Sequence, residues 1–163
     1  MALNDELGFL SPISTRAHEA VLSIFVTANL LGKEADRVLQ PVGLTQAQFD
    51  ILMLLKYQTA DGSADQTTLG KMLVVNRSNV TGLVDRMERD GLVRRVADPT
   101  DRRLKRVRMT SAGARLLEKA EQAYAARTRL VVAGLTATDL ATLCRLLETV
   151  RTAVRRGSAP RRR

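Results

Sequence analysis

The stretch TTLGKMLVVNRSNVTGLVDRMERDGLVRRVADPTDRRLKRVRM, Thr67 to Met109, decides the fold. It reads as a short helix, a turn, a longer helix, and then two strands around a charged tip. Asn76 precedes the longer helix as its N-cap, with an amide oxygen for the free N–H groups of the first turn. Gly91 follows it at the position where a left-handed residue closes a helix. Val80, Leu83, Val84 and Met87 fall on one stripe at helical spacing, which marks that face as buried. The opposite face carries Ser78, Thr81, Gly82, Asp85 and Arg89, flanked by Arg77 and Arg86. That face is small and polar near its start, so it suits close entry into a major groove with hydrogen-bonding groups to offer. Leu92 to Val96 and Lys105 to Met109 are strand candidates. Between them Asp98-Pro99 is a turn signal beside the cluster Asp101-Arg102-Arg103. A helix-turn-helix followed by a basic hairpin is a winged helix, a device for holding DNA.

Leu69 to Gly113, LGKMLVVNRSNVTGLVDRMERDGLVRRVADPTDRRLKRVRMTSAG, resembles the DNA-binding core of the MarR family of multiple-antibiotic-resistance-type regulators. The most specific match is in the wing, where the family's D-x-R element meets Asp101 and Arg103. The resemblance is strong from Thr45 to Gly113 and extends by pattern from Ile13 to Arg155. It implies a mainly α fold with a small β-wing: a winged helix-turn-helix lobe with N- and C-terminal dimerisation helices. The implied function is a sequence-specific DNA-binding transcriptional regulator, a repressor. It would bind a pseudo-palindromic operator as a homodimer and be released by a small-molecule effector, often aromatic or anionic. The resemblance also places Arg103 in the minor groove with Asp101 orienting it. The expected DNA-binding residues are Asn76, Arg77, Ser78, Asn79, Thr81, Gly82, Arg86, Asp101, Arg102 and Arg103. Gly82 either lets the helix approach closely or is merely tolerated. Similar proteins that sense peroxides use a cysteine near the start of the first helix, and no cysteine precedes Cys144 here.

Charge is distributed in a way that fits a polyanionic partner. The 163 residues carry a formal net charge of +9, but residues 1–50 hold six carboxylates against three basic side chains. Residues 91–109 hold seven basic side chains against two carboxylates. A basic wing on a chain with an acidic opening third is a directed footprint for a polyanion, which the family resemblance makes double-stranded DNA. Aromatic residues make up 3% and Trp is absent, so the core is aliphatic. One Cys and one His are too few for a His/Cys zinc site, and no cofactor motif occurs. The lone Cys144 suits a reducing cytoplasm and reads as a buried small hydrophobe on the apolar side of its helix. No apolar run approaches a membrane span, and the opening MALNDELGFL is acidic, unlike a signal peptide.

The chain divides into a flexible arm over 1–12, a single unit over 13–155, and a basic disordered tail over 156–163. Within the unit, 13–40 and 111–155 are the dimerisation helices and 45–110 the winged-helix lobe. The tail's arginines are either solubilising or a phosphate-contacting arm. Ile13 to Leu39 is a helix with apolar residues on more than one stripe, Val21, Leu22, Phe25, Val26 and Leu30 among them. That much apolar surface calls for a second subunit. Thr45 to Gln48 is a capping box opening a helix through Tyr57. Asp65 caps the short first helix of the motif, and one short strand before it joins the wing. Thr136 to Asp139 resembles another capping box, ahead of the seam Leu140, Leu143, Leu147, Val150 and Val154.

Catalysis is not expected. Ser78 and Ser111 have no neighbouring His, no Gly-rich phosphate loop occurs, and Glu118 and Glu121 read as solvated carboxylates at i, i+3. The alternative is a winged helix that serves as an architectural DNA binder or a protein-interaction module without an effector. His18, near Arg16, is either part of an effector pocket or a surface or interface histidine.

Overall fold

The computed structural model describes residues 3–8, 13–59, 61–73, 77–98, 100–101 and 104–157. A single helical turn, α1 (Leu3–Glu6), lies in the segment expected as a loose arm. Helix α2 (Arg16–Leu39) starts where Thr15 Oγ1 accepts the His18 N–H at 3.1 Å, three residues later than the apolar pattern begins. Pro41 sits in the 3₁₀ turn Gln40–Val42 that follows, and Gly43 closes it at φ 85°.

Helix α3 (Gln46–Tyr57) opens on the expected capping box. Gln48 N donates to Thr45 Oγ1 at 3.3 Å, and Thr45 N donates to Gln48 Oε1 at 2.9 Å. Asp36 of α2 takes a further first-turn donor, the Gln46 N–H, at 2.9 Å. Strand β1 (Ser63–Asp65) leads directly into helix α4 (Gln66–Leu73), whose Thr68 N–H donates to Asp65 Oδ1 at 2.9 Å. Helix α5 (Arg77–Arg89) ends at Gly91, which adopts φ 72°. The expected cap Asn76 lies outside the described residues.

Strands β2 (Val93–Ala97) and β3 (Lys105–Met109) form the hairpin. β3 is central in an antiparallel sheet of order β1-β3-β2, with Ala64 and Arg95 both opposite Val107. The core beneath gathers Leu52 and Leu55 of α3, Leu69 of α4, Val80, Val84 and Met87 of α5, and Leu117 of the next helix, all fully buried. Each such side chain removed from water contributes about 1.5–3 kcal/mol. Met72 of α4 stays 38% exposed.

Helix α6 (Ser111–Val131) starts where Thr110 Oγ1 accepts the Gly113 N–H at 3.0 Å. Glu121, read as a solvated carboxylate, instead accepts Lys56 Nζ of α3 at 2.7 Å. The helix tilts Tyr124 against Phe49, ring centroids 5.1 Å apart. Helix α7 (Ala137–Gly157) has its box, with Asp139 N donating to Thr136 Oγ1 at 3.2 Å.

Two compact units divide the chain, Met1–Tyr124 and Ala125–Arg163. In the second, α7 buries none of its residues in the single chain, and Leu143, Leu146, Val150 and Val154 are exposed. Cys144 is exposed with them, so the expectation of a buried thiol fails for the single chain; among the described residues of its own unit nothing covers that stripe. The basic tail lies outside the described residues beyond Gly157.

Candidate nucleic-acid interface

The buried stripe of α5 orients its other face. With Val80, Val84 and Met87 turned into the core, Thr81 and Gly82 are half-buried and Asp85, Arg86 and Arg89 are exposed. Thr81 Oγ1 reaches Gln66 Oε1 at the start of α4, at 3.4 Å. A Cβ added to Gly82 would meet Arg86 Nη1 at 3.6 Å, an ordinary contact, so the backbone there is open to approach. Arg77, Ser78 and Asn79 belong to the first turn of α5, but their side chains lie outside the described residues, as do Arg102 and Arg103 at the wing tip.

The hairpin holds its charges in two ways, and this divides the basic residues by role. Arg95 is engaged internally by Asp85 and Glu88 of α5. Arg106 is engaged by four oxygens: Ser63 Oγ at 2.8 Å, the Ser63 carbonyl at 2.6 Å, and Asp61 and Asp98 at 3.3 Å each. Arg108 Nη2 lies 3.4 Å from the same Asp61. Among the described hairpin residues, Arg94 and Lys105 are exposed without such carboxylate partners and face solvent as available cations. The count of basic residues in the sequence therefore overstates the charge the wing offers to phosphate.

Asp98 builds the turn at the wing tip. Its Oδ1 accepts the Thr100 N–H at 2.8 Å, the Thr100 hydroxyl at 2.6 Å and the Asp101 N–H at 3.2 Å, while Arg106 approaches Oδ2. The Asp98 N–H donates to the Leu104 carbonyl, and the Leu104 N–H to that of Asp101. These donors, the Thr100 hydroxyl first, hold the Asp98 carboxyl down to about 2. Asp61 is likewise held below the usual carboxylate range, chiefly by the Ser63 hydroxyl. Asp101 itself is exposed at this turn. The sequence marked Asp98 only as part of a turn signal. Its fuller role was legible in the spacing Asp98, Thr100, Asp101, where a carboxylate bonds backbone two and three residues on. Asp61 bonds Ser63 at the same two-residue spacing. The Arg106 contacts of this pair and the Arg95 contact of Glu88 carried no such signal, because those partners lie 43 to 45 and 7 residues away.

His18 is exposed in the first turn of α2. A cleft of about 430 Å³ is lined by Phe49, Asp50, Met53, Tyr57, Met72 and Tyr124, and Arg86 lines a neighbouring one of about 490 Å³. Asp50 lines both, and burial, then the charge of Asp36, pushes its carboxyl up. Among the described residues no group of three or more His, Cys, Asp or Glu gathers as a metal site, and no single helix is long and apolar enough to cross a membrane.

Known proteins share this arrangement. The chain is 37% identical over 102 residues to the transcriptional activatory protein BadR of Rhodopseudomonas palustris, a match covering 63% of this chain and 58% of that protein. It is 32% identical over 105 residues to the homoprotocatechuate degradative operon repressor of Escherichia coli, covering 64% of this chain and 69% of the relative. The crystal structure of a mutant MarR from E. coli complexed with operator DNA is similar at a TM-score of 0.69 and 26% identity, covering 83% of this chain and 99% of that one. The sequence model of the MarR family matches residues 44–105, from the residue before the α3 capping box to the first residue of β3. The fold is shared with that MarR structure, and the chain belongs to the MarR family.

Proposed function

We propose that the protein is a transcriptional regulator that binds a pseudo-palindromic operator as a homodimer and acts as a repressor. The observation that carries the reading is the pairing of two surfaces: the outward polar face of α5, and a hairpin with exposed Arg94 and Lys105 fastened to that helix. A helix of this kind enters the major groove while a basic wing reaches the adjacent minor groove, where negative potential is deepest. Ser78, Thr81 and Gly82 would meet base edges, Arg77 and Arg86 phosphate, and Arg103, oriented by Asp101, the minor groove. Support comes also from the E. coli MarR structure, which holds operator DNA. Selection of bound fragments from random duplex DNA should return a two-fold motif with half-sites about one helical turn apart. Unphased, sequence-indifferent protection would favour the architectural alternative.

For the effector, the cleft lined by Phe49, Met53, Tyr57, Met72 and Tyr124 suits an aromatic ring. An anionic group would find no cation on that lining. Arg86, on the adjoining cleft, supplies one and belongs to the DNA-reading helix. An aromatic acid spanning both would compete with DNA for Arg86, which supports release on binding. Calorimetric titration with simple aromatic acids, with and without Arg86→Ala, tests this. Equal affinity for both proteins would remove Arg86 from the effector site.

A further inference from the structure

Strand β2 is tied to the last turns of α5 by one side chain. Glu88 Oε1 accepts the Arg95 backbone N–H at 2.6 Å and Oε2 accepts Arg95 Nη1 at 2.5 Å. Asp85, one turn earlier on the same helix face, accepts Arg95 Nη2 at 2.5 Å. A planar fork held at both terminal nitrogens, with its own backbone held as well, has no freedom to slide along the helix or to swing. The covalent link between helix and strand is short and pivots at Gly91, with φ 72°. Apolar packing of Val80, Val84 and Met87 keeps α5 on the core but tolerates a small rotation, since such contacts are not directional.

Arg95 would ordinarily be counted among the wing's phosphate contacts. Its geometry argues otherwise: a phosphate could take Nη1 or Nη2 only by displacing Glu88 or Asp85. An ion pair so open to water also adds little to stability. What it does supply is direction, and two elements that must meet one rigid duplex need a fixed offset. We propose that Arg95 is a positioning residue for operator recognition: it locks α5 to the wing and thereby sets which base edges the helix meets, without itself touching DNA. The proposal rests on the DNA-binding reading above.

The test uses the full chain, fluorescence anisotropy on a selected operator and on an unrelated duplex, and a salt series for each. Arg95→Gln should lower operator affinity about tenfold, the discrimination of one base contact. Affinity for the unrelated duplex should change by less than about twofold, with the salt slope unaltered. The double variant Asp85→Asn, Glu88→Gln leaves Arg95 in place and makes the protein more positive. It should lose the same operator preference, whereas simple attraction predicts tighter binding to both duplexes. Arg95→Lys keeps the charge but not the fork, and should not restore the preference. A salt slope reduced by about one with equal losses on both duplexes would make Arg95 a phosphate contact and overturn the proposal, as would unchanged binding. Should Arg95→Gln unfold, the double variant decides by the same affinity ratio. A wild-type protein with no salt-dependent duplex binding would overturn the underlying reading and the proposal together. A discriminating wild type with indifferent variants overturns only the role of Arg95.

Discussion

Two glycines show how the same substitution carries opposite consequences. At Gly82 an added methyl meets only Arg86 Nη1, at 3.6 Å, so Gly82→Ala should stabilise α5 by about 0.5–1 kcal/mol. If the helix backbone approaches DNA there, the same variant should bind the operator more weakly. Urea unfolding paired with an affinity measurement reads both, and unchanged affinity would mean the glycine is merely tolerated. At Gly113 the methyl would lie 2.2 Å from the Leu92 carbonyl oxygen, backbone that cannot step aside. Gly113→Ala should therefore cost about 1–3 kcal/mol in the same unfolding experiment. Asp50 offers a pH test. Its folded carboxyl lies above the ordinary 3.8 because burial, then Asp36, disfavours its charge. The folded state thus holds that proton more tightly than the unfolded chain does. The stability tied to this proton is present at low pH and lost as pH rises through the raised value. Asp50→Asn should raise the melting temperature at neutral pH, and the gain should vanish below about pH 4. A gain that persists at low pH would assign it to something other than charge.

The wing depends on Asp98 for the shape of its tip, and its charge is secure at neutral pH. The depressed value near 2 means that its contribution is present above the ordinary carboxylate range and fades as pH falls toward 2. Asp98→Ala removes an acceptor for two backbone N–H groups and should weaken operator binding. Asp98→Asn keeps an acceptor and should retain most of the affinity; equal loss in both would trace the effect to the pair with Arg106. Helix ends were readable in advance wherever a local partner sets them. Thr45 with Gln48, Asp65, Gly91 and Thr136 with Asp139 all act within a few residues of themselves. Lys105 to Met109 was read with the observed bounds, and β2 was misplaced by one residue. Arg95, Arg106 and Asp85 were read by sign alone, as charges for or near DNA. Their partners lie 7 to 10 residues away for Arg95 and 43 to 45 away for the Ser63 and Asp61 contacts of Arg106, beyond the reach of any periodicity.

Assembly follows from surfaces that a single chain leaves wet. Phe25 on α2 is 64% exposed and Val154 on α7 is 63% exposed, in the company of Val21, Leu30, Leu31, Leu143 and Val150. Covering them with a second copy is the homodimer already proposed. Sedimentation at micromolar concentration should return a dimer, and a stable, well-folded monomer would refute it. The same chemistry of exposed groups has a quieter side at the sheet. A three-stranded sheet ends in two edges, and each is a template on which a stranger's backbone could pair. The β1 edge is three residues long. On the β2 edge, the Arg95 N–H is already spoken for by Glu88. That carboxylate therefore guards the protein in crowded solution: by occupying a main-chain donor, it denies an aggregating strand its first hydrogen bond.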